Sequence, residues 1–154
     1  MLVRNRMSSP VVSVRPDTSF QQALALMQER RIRRLPVVDA DHRLVGIVAQ
    51  RDLLIAALRY LQSRVDVSEV MATRVITANP DMSLSRVAQL MLHNKIGGLP
   101  VVEEDKVIGM ITESDIFRCF VELHTAAEDD ASRAVAPKSE WGRQQRAPGL
   151  RTVE

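Results

Sequence analysis

Leu35-Pro36-Val37-Val38 recurs 64 residues later as Leu99-Pro100-Val101-Val102, and the echo extends in both directions. At the same offset Ile32 falls on Ile96, Leu26-Met27 on Leu90-Met91, Pro16-Asp17 on Pro80-Asp81 and Met7 on Met71. Residues 3–38 hold 13 identities with their counterparts, where composition alone gives roughly two or three. Past the strand, one residue is lost in a polar turn, Asp39–His42 against Glu103–Asp105, and Gly46 then matches Gly109 and Asp52 matches Asp115. A length change is tolerated in such a turn. The chain is a duplication, with units over residues 3–60 and 67–124.

Each unit reads as strand, helix, hairpin, helix. Val11–Val14 and Val75–Ala78 are short β-branched stretches ended by Pro-Asp turns, which predicts strands. Thr18–Gln21 fits a capping box ahead of Phe20, Leu24 and Met27, and Leu84, Val87, Ala88 and Met91 recur at helical spacing in the second copy. These stripes predict buried helix faces. Leu35–Val38 with Leu44–Val48, and Leu99–Val102 with Val107–Ile111, predict hairpins. A closing helix is expected from Asp52 through Tyr60, and its copy from Asp115 through about Leu123. Neither unit is large enough to bury its apolar surface alone, so the two are expected to pack sheet to sheet. From 125 to 154 the period disappears among Ala, charged residues, Pro137, Pro148 and Gly149, which predicts a flexible tail. Trp141 within it is assigned no role.

With 154 residues, 45% hydrophobic and 26% charged, the composition is that of a soluble globular chain and excludes a large catalytic barrel. The 21 basic and 19 acidic residues leave a net charge of +2, and only five residues are aromatic. A base-stacking platform is therefore not expected, nor is nucleic acid as a partner. Cys119 is the only cysteine, so there is no disulfide framework or thiol cluster. No window approaches the ~18 apolar residues of a membrane span, and the expected location is the cytoplasm without membrane contact. His42, His93 and His124 show no spacing that joins them to carboxylates or to a nucleophile. No metal site or catalytic residue is expected, no required cofactor is implied, and the chain is read as not an enzyme.

Two copies of strand, Pro-Asp turn, helix, Leu-Pro-Val-Val strand, Gly-containing strand and Asp-opened helix resemble the CBS domain, named after cystathionine β-synthase. Leu35–Asp39 and Gly109–Asp115 carry the resemblance most specifically, and it covers residues 3–124 as a tandem pair, or Bateman module. The resemblance implies an α/β (α+β) fold of two β-α-β-β-α repeats with pseudo-twofold symmetry. It also implies two clefts that in many members bind AMP, ADP, ATP or S-adenosylmethionine as a regulatory ligand, pairing of modules into homodimers, and signalling to another protein in trans.

The carboxylate of Asp115, expected at a helix mouth, suits the two hydroxyls of a ribose, the role this aspartate has in similar domains, and Asp52 is its equivalent. Thr112-Glu113-Ser114-Asp115 equally fits a capping box, and the two uses share one geometry. Thr112 and Ser114 offer hydroxyls, whereas the first copy has Ala49 where Thr112 stands. Arg33 and Arg34 precede the Leu-Pro strand, where similar domains set basic side chains on phosphates, and Arg51 adjoins Asp52. The second copy has Gly97, Gly98 and Ser114 at those positions, so the two clefts are expected to differ. Arg30 and Arg31 are read as a solvated helix C-terminus. By resemblance each cleft borrows from the other unit's first strand, which puts Ser13 and Arg15 with Asp115, and Thr77 and Asn79 with Asp52. The function expected is a sensor of adenosine-containing ligands; the alternative is a ligand-free module for oligomerisation or protein interaction.

Overall fold

The computed structural model describes residues 1–59 and 65–134 of the chain. Met1–Cys119 form one compact unit and Phe120–Glu154 a second. Two helices precede the hairpins, α1 (Phe20–Arg30) and α3 (Leu84–Asn94), and two follow them, α2 (Gln50–Arg59) and α4 (Glu113–Ala134). The hairpins are β1 (Arg34–Val38) with β2 (Leu44–Ala49), and β3 (Gly98–Glu103) with β4 (Lys106–Thr112), each an antiparallel two-stranded sheet. Pro36 faces Ile47 and Pro100 faces Met110 in matching register. The fold is mixed α/β.

The expected first strands shrink to single residues. Val14 bridges Val37 in parallel, donating to Pro36 O at 3.0 Å and accepting from Val38 N at 2.9 Å; Ala78 does the same beside Val101. Extending either bridge backwards would call on the N–H of Pro36 or Pro100, which proline lacks, so the ladder ends after one residue. The cap of α1 is also displaced. Ser19, not Thr18, is the N-cap, with Gln22 completing the box. Thr18 is engaged elsewhere: its hydroxyl accepts from Arg15 N at 3.1 Å and its carbonyl from Val67 N at 2.8 Å. Helices α2 and α4 begin two residues before Asp52 and Asp115, and α4 continues to Ala134, past the end expected near Leu123. Tyr60, Trp141 and the tail from 135 lie outside the described residues.

The repeats exchange their leading segments. Ser8, of the first repeat, bridges Met110 on β4, with bonds of 2.8 and 3.0 Å; Ala72, of the second, bridges Ile47 on β2, with two bonds of 2.9 Å. Val3 is fully buried with Val87, Leu99 and Ile111, whereas Val67 is fully buried with Phe20, Leu35 and Val48. Each core is thus completed by a valine from the other copy. The reciprocity, in which each copy gives the other what it receives, is the mark of a twofold relation. At the crossings there is no room for a side chain: a Cβ on Gly109 would lie 2.9 Å from Ser8 O, and one on Gly46 3.0 Å from Ala72 O.

Both leading helices end on a residue in the left-handed region, Arg31 at φ 54° and Lys95 at φ 53°. Ile32 N bonds back to Met27 O at 2.9 Å and Ile96 N to Met91 O at 3.0 Å, the closure usually made by glycine. A side chain there costs about 1–2 kcal/mol, and glycine gives back about 0.4–1 kcal/mol through its freer unfolded chain. Lys95→Gly is therefore expected to stabilise the protein by about 0.5–1 kcal/mol. The urea midpoint should rise at constant m-value; a fall would mean that the lysine side chain is needed.

Candidate functional site

The start of β1, the end of β4, the starts of α2 and α4, and Ser8 with Pro10, Val11 and Val12 surround a cleft of about 560 Å³. It draws on both repeats. From the first come Arg31, Arg33, Arg34, Ala49, Gln50 and Arg51; from the second come Gly97, Met110, Thr112, Glu113, Ser114, Asp115 and Arg118.

Asp115 is the one buried charged residue among those described, 7% exposed. It sits at the third position of α4, and its Oδ2 accepts from Thr112 N at 2.8 Å and from Thr112 Oγ1 at 2.7 Å. That is one half of a capping box, with the carboxylate holding the orphan N–H of the helix entrance. Oδ1 faces Arg118 Nη1 at 3.7 Å. The carboxylate therefore has one oxygen spent on the fold and one turned to a long, exposed guanidinium, leaving lone pairs for a hydroxyl donor. Asp52 takes the same position on α2, half-buried, behind Ala49, which has no hydroxyl to offer.

The cleft is strongly cationic. Five arginines line it (Arg31, Arg33, Arg34, Arg51 and Arg118) against the carboxylates of Glu113 and Asp115. Among the described residues the side chains of Arg31, Arg33, Arg34 and Arg51 make no hydrogen bond or ion pair. A Cβ on Gly97 would lie 2.6 Å from Arg34 Nη2 and 2.7 Å from Glu113 Oε2. Glycine here leaves space for two opposite charges to reach over the backbone. Among the described residues no group of three or more His, Cys, Asp or Glu is arranged to hold a metal ion.

Arg33, Arg34 and Arg51 share one lining with Thr112, Ser114 and Asp115, although the sequence reading assigns them to separate clefts. The crossing of the leading segments brings the hairpins together, so the arginines of one copy face the helix entrance of the other. Ser13, Arg15, Asp52, Thr77 and Asn79 are not on this lining. Ser13 and Arg15 flank buried Val14, Thr77 and Asn79 flank buried Ala78, and Asn79 Oδ1 accepts from Asp81 N at 3.1 Å. The residues lent across to the Asp115 side are Ser8, Pro10, Val11 and Val12, the start of the expected first strand and the segment before it. Arg30 pairs with Glu29 at 3.1 Å, but Arg31 belongs to the cleft: its left-handed backbone takes it out of the helical register. Glu113 and Arg118 were not singled out by the sequence; only their position beside Asp115 on one helix pointed to them.

The family model for the CBS domain matches residues 3–59 and again 67–122. CBS domain-containing protein YhcV of Bacillus subtilis is 31% identical over 115 residues, covering 74% of this chain and 81% of its own length. Two enzymes, a sulfurtransferase and an acetyltransferase, also match, but over only 23% and 24% of their lengths. The CBS domain pair of protein MJ0100, solved in complex with 5′-methylthioadenosine and S-adenosyl-L-methionine, superposes with a TM-score of 0.73 at 32% identity, covering 79% of this chain and 97% of that one. CBSX2, solved in complex with AMP, gives 0.72 at 29% identity, with 80% and 98% covered. The two matched copies, the paired hairpins and the shared cleft make this chain a member of the CBS domain family, carrying a tandem pair.

Proposed function

We propose that this chain is a regulatory module that binds an adenosine-containing ligand in the cleft shared by its repeats and transmits occupancy to a partner protein. The observation that carries this reading is Asp115: a nearly buried carboxylate, with Oδ2 held by Thr112 and Oδ1 3.7 Å from Arg118, on a cleft whose other wall is arginine. The ligands of the two solved relatives, 5′-methylthioadenosine with S-adenosylmethionine in one and AMP in the other, support it. In this reading the repeats span 3–60 and 67–124, with 125–154 as a tail. Asp115 and Thr112 take the ribose, Ser114, Arg33, Arg34 and Arg51 take the polar remainder, and Ser13, Arg15, Asp52, Thr77 and Asn79 make flanking contacts. The module has no catalytic step and needs no cofactor. It works in the cytoplasm, a setting that suits its single, buried Cys119.

Titration calorimetry with AMP and ATP tests the reading. Saturable binding is expected, weakened about 10- to 100-fold in Asp115→Asn, since hydrogen bonds to a charged group contribute about 1.5–3 kcal/mol. The asparagine still offers Thr112 N an acceptor, so the helix entrance is kept. A second reading, a ligand-free oligomerisation module, is favoured by exposed apolar residues at matched positions: Leu54 and Leu58 on α2, Phe117 and Val121 on α4. Silent titrations from a folded protein would leave that reading standing. Homodimerisation through such faces belongs to both readings, and light scattering on the same samples reports it.

A further inference from the structure

Resting on the adenosine reading above, the charge of the cleft narrows the ligand further. We propose that this site selects adenosine compounds carrying two or more phosphates, and discriminates against neutral and cationic ones such as 5′-methylthioadenosine and S-adenosylmethionine.

The lining holds five guanidinium groups against two carboxylates, a formal excess of three positive charges. One of the five, Arg118, is 3.7 Å from Asp115. The other four have no side-chain partner among the described residues. Like charges gathered at a concave surface repel one another, and the low-dielectric walls of a cleft strengthen that repulsion. A polyanion relieves it, and guanidinium forks match phosphate oxygens two at a time.

The candidate ligands differ in the sign of what they bring. S-adenosylmethionine carries a sulfonium and an ammonium against one carboxylate, so it adds positive charge to a positive site. 5′-Methylthioadenosine adds none. A monophosphate brings about two negative charges at neutral pH, and each further phosphate about one more, so the diphosphate matches the excess of three, the triphosphate exceeds it, and the monophosphate falls short. The second repeat cannot supply this selectivity, because Gly97 and Gly98 stand where the first has Arg33 and Arg34. Gly97 instead leaves open the space into which Arg34 and Glu113 reach. A phosphate arriving there would meet Arg34 and be repelled by Glu113, which biases it toward Arg33, Arg34 and Arg51.

The test is calorimetric titration of the full chain with ATP, ADP, AMP, 5′-methylthioadenosine and S-adenosylmethionine, at about 50 and 300 mM salt, with inorganic tripolyphosphate as a competitor. ATP and ADP are expected to bind at least about 10-fold tighter than AMP at the lower salt, and the margin to shrink at the higher, where screening is stronger. Tripolyphosphate should displace ATP. Arg34→Ala and Arg51→Ala, checked for folding by thermal melts, should each narrow the ATP-to-AMP ratio by about 3-fold or more. If S-adenosylmethionine or 5′-methylthioadenosine binds tighter than ADP, the charge selection is overturned while the adenosine reading stands. If tripolyphosphate binds and no adenosine compound does, or if nothing binds to the folded chain, both are overturned.

Discussion

Gly109→Ala is expected to lower the unfolding free energy by about 2 kcal/mol, a large change for a substitution that adds one methyl group. The new Cβ would lie 2.9 Å from Met7 Sδ and 2.9 Å from Ser8 O. The methionine tip can move aside. The carbonyl cannot, because Ser8 and Met110 exchange two backbone hydrogen bonds at 2.8 and 3.0 Å, and pushing Ser8 away strains both. Those bonds hold the leading segment of one repeat to the hairpin of the other, so the damage falls on the crossing itself. Gly46→Ala meets the same obstacle at Ala72 O, 3.0 Å away, and the two losses should add, since each crossing has its own partners. Gly98→Ala is the control. Its Cβ would have nothing closer than 3.4 Å, ordinary contact, and its stability should stay within about 0.5 kcal/mol of the parent. Urea unfolding of the three variants distinguishes the cases, and equal midpoints for Gly109→Ala and Gly98→Ala would sink the account of the crossing.

Val3→Asp is expected to cost about 3 kcal/mol or more, and enough to unfold a marginal protein. Residues so near a terminus are ordinarily frayed and tolerant. Here Val3 is 0% exposed, donates to Met82 O at 2.9 Å, and packs among Val87, Leu99 and Ile111 of the second repeat. A carboxylate at that point has neither water nor a partner. Val3→Ala, which removes two methyl groups and leaves a small cavity, should cost about 2 kcal/mol. Asn5→Asp, two residues on and exposed, should be nearly neutral. Amide hydrogen exchange in α3 and β3 gives the sharper readout: Val3→Ala should speed exchange there. Unchanged protection in both elements would show that the segment does not belong to the second core.

Much of this molecule is legible in the letters because local rules agree with the fold. Leu35-Pro-Val-Val38 and its copy are strands, since β-branched residues on a buried pleat have no better alternative. The apolar spacing of Leu84, Val87 and Met91 is a buried helix face because the same period that makes the stripe makes the helix. Other features fail locally for identifiable reasons. Val11–Val14 looks like a strand, but whether it pairs depends on the edge it meets, and that edge presents Pro36. Asp115 looks like an N-cap and is the third helical residue, because the helix starts where Thr112 and Asp115 close on each other.

Two copies, their matched helices and hairpins, and their unlike charges, with arginines in the first where the second has glycines, are all written in the residues. These are properties of single positions and short periods. Which core each valine enters and which charges meet come from the folded packing alone. Val3 belongs by sequence to the first copy and by packing to the second, and Val67 the reverse. A repeat pattern is identical whether its segments stay or cross, so nothing in it distinguishes the two. Steric fit at Gly46 and Gly109 does, and the same crossing sets Arg33, Arg34 and Arg51 opposite Thr112 and Asp115 in one cleft.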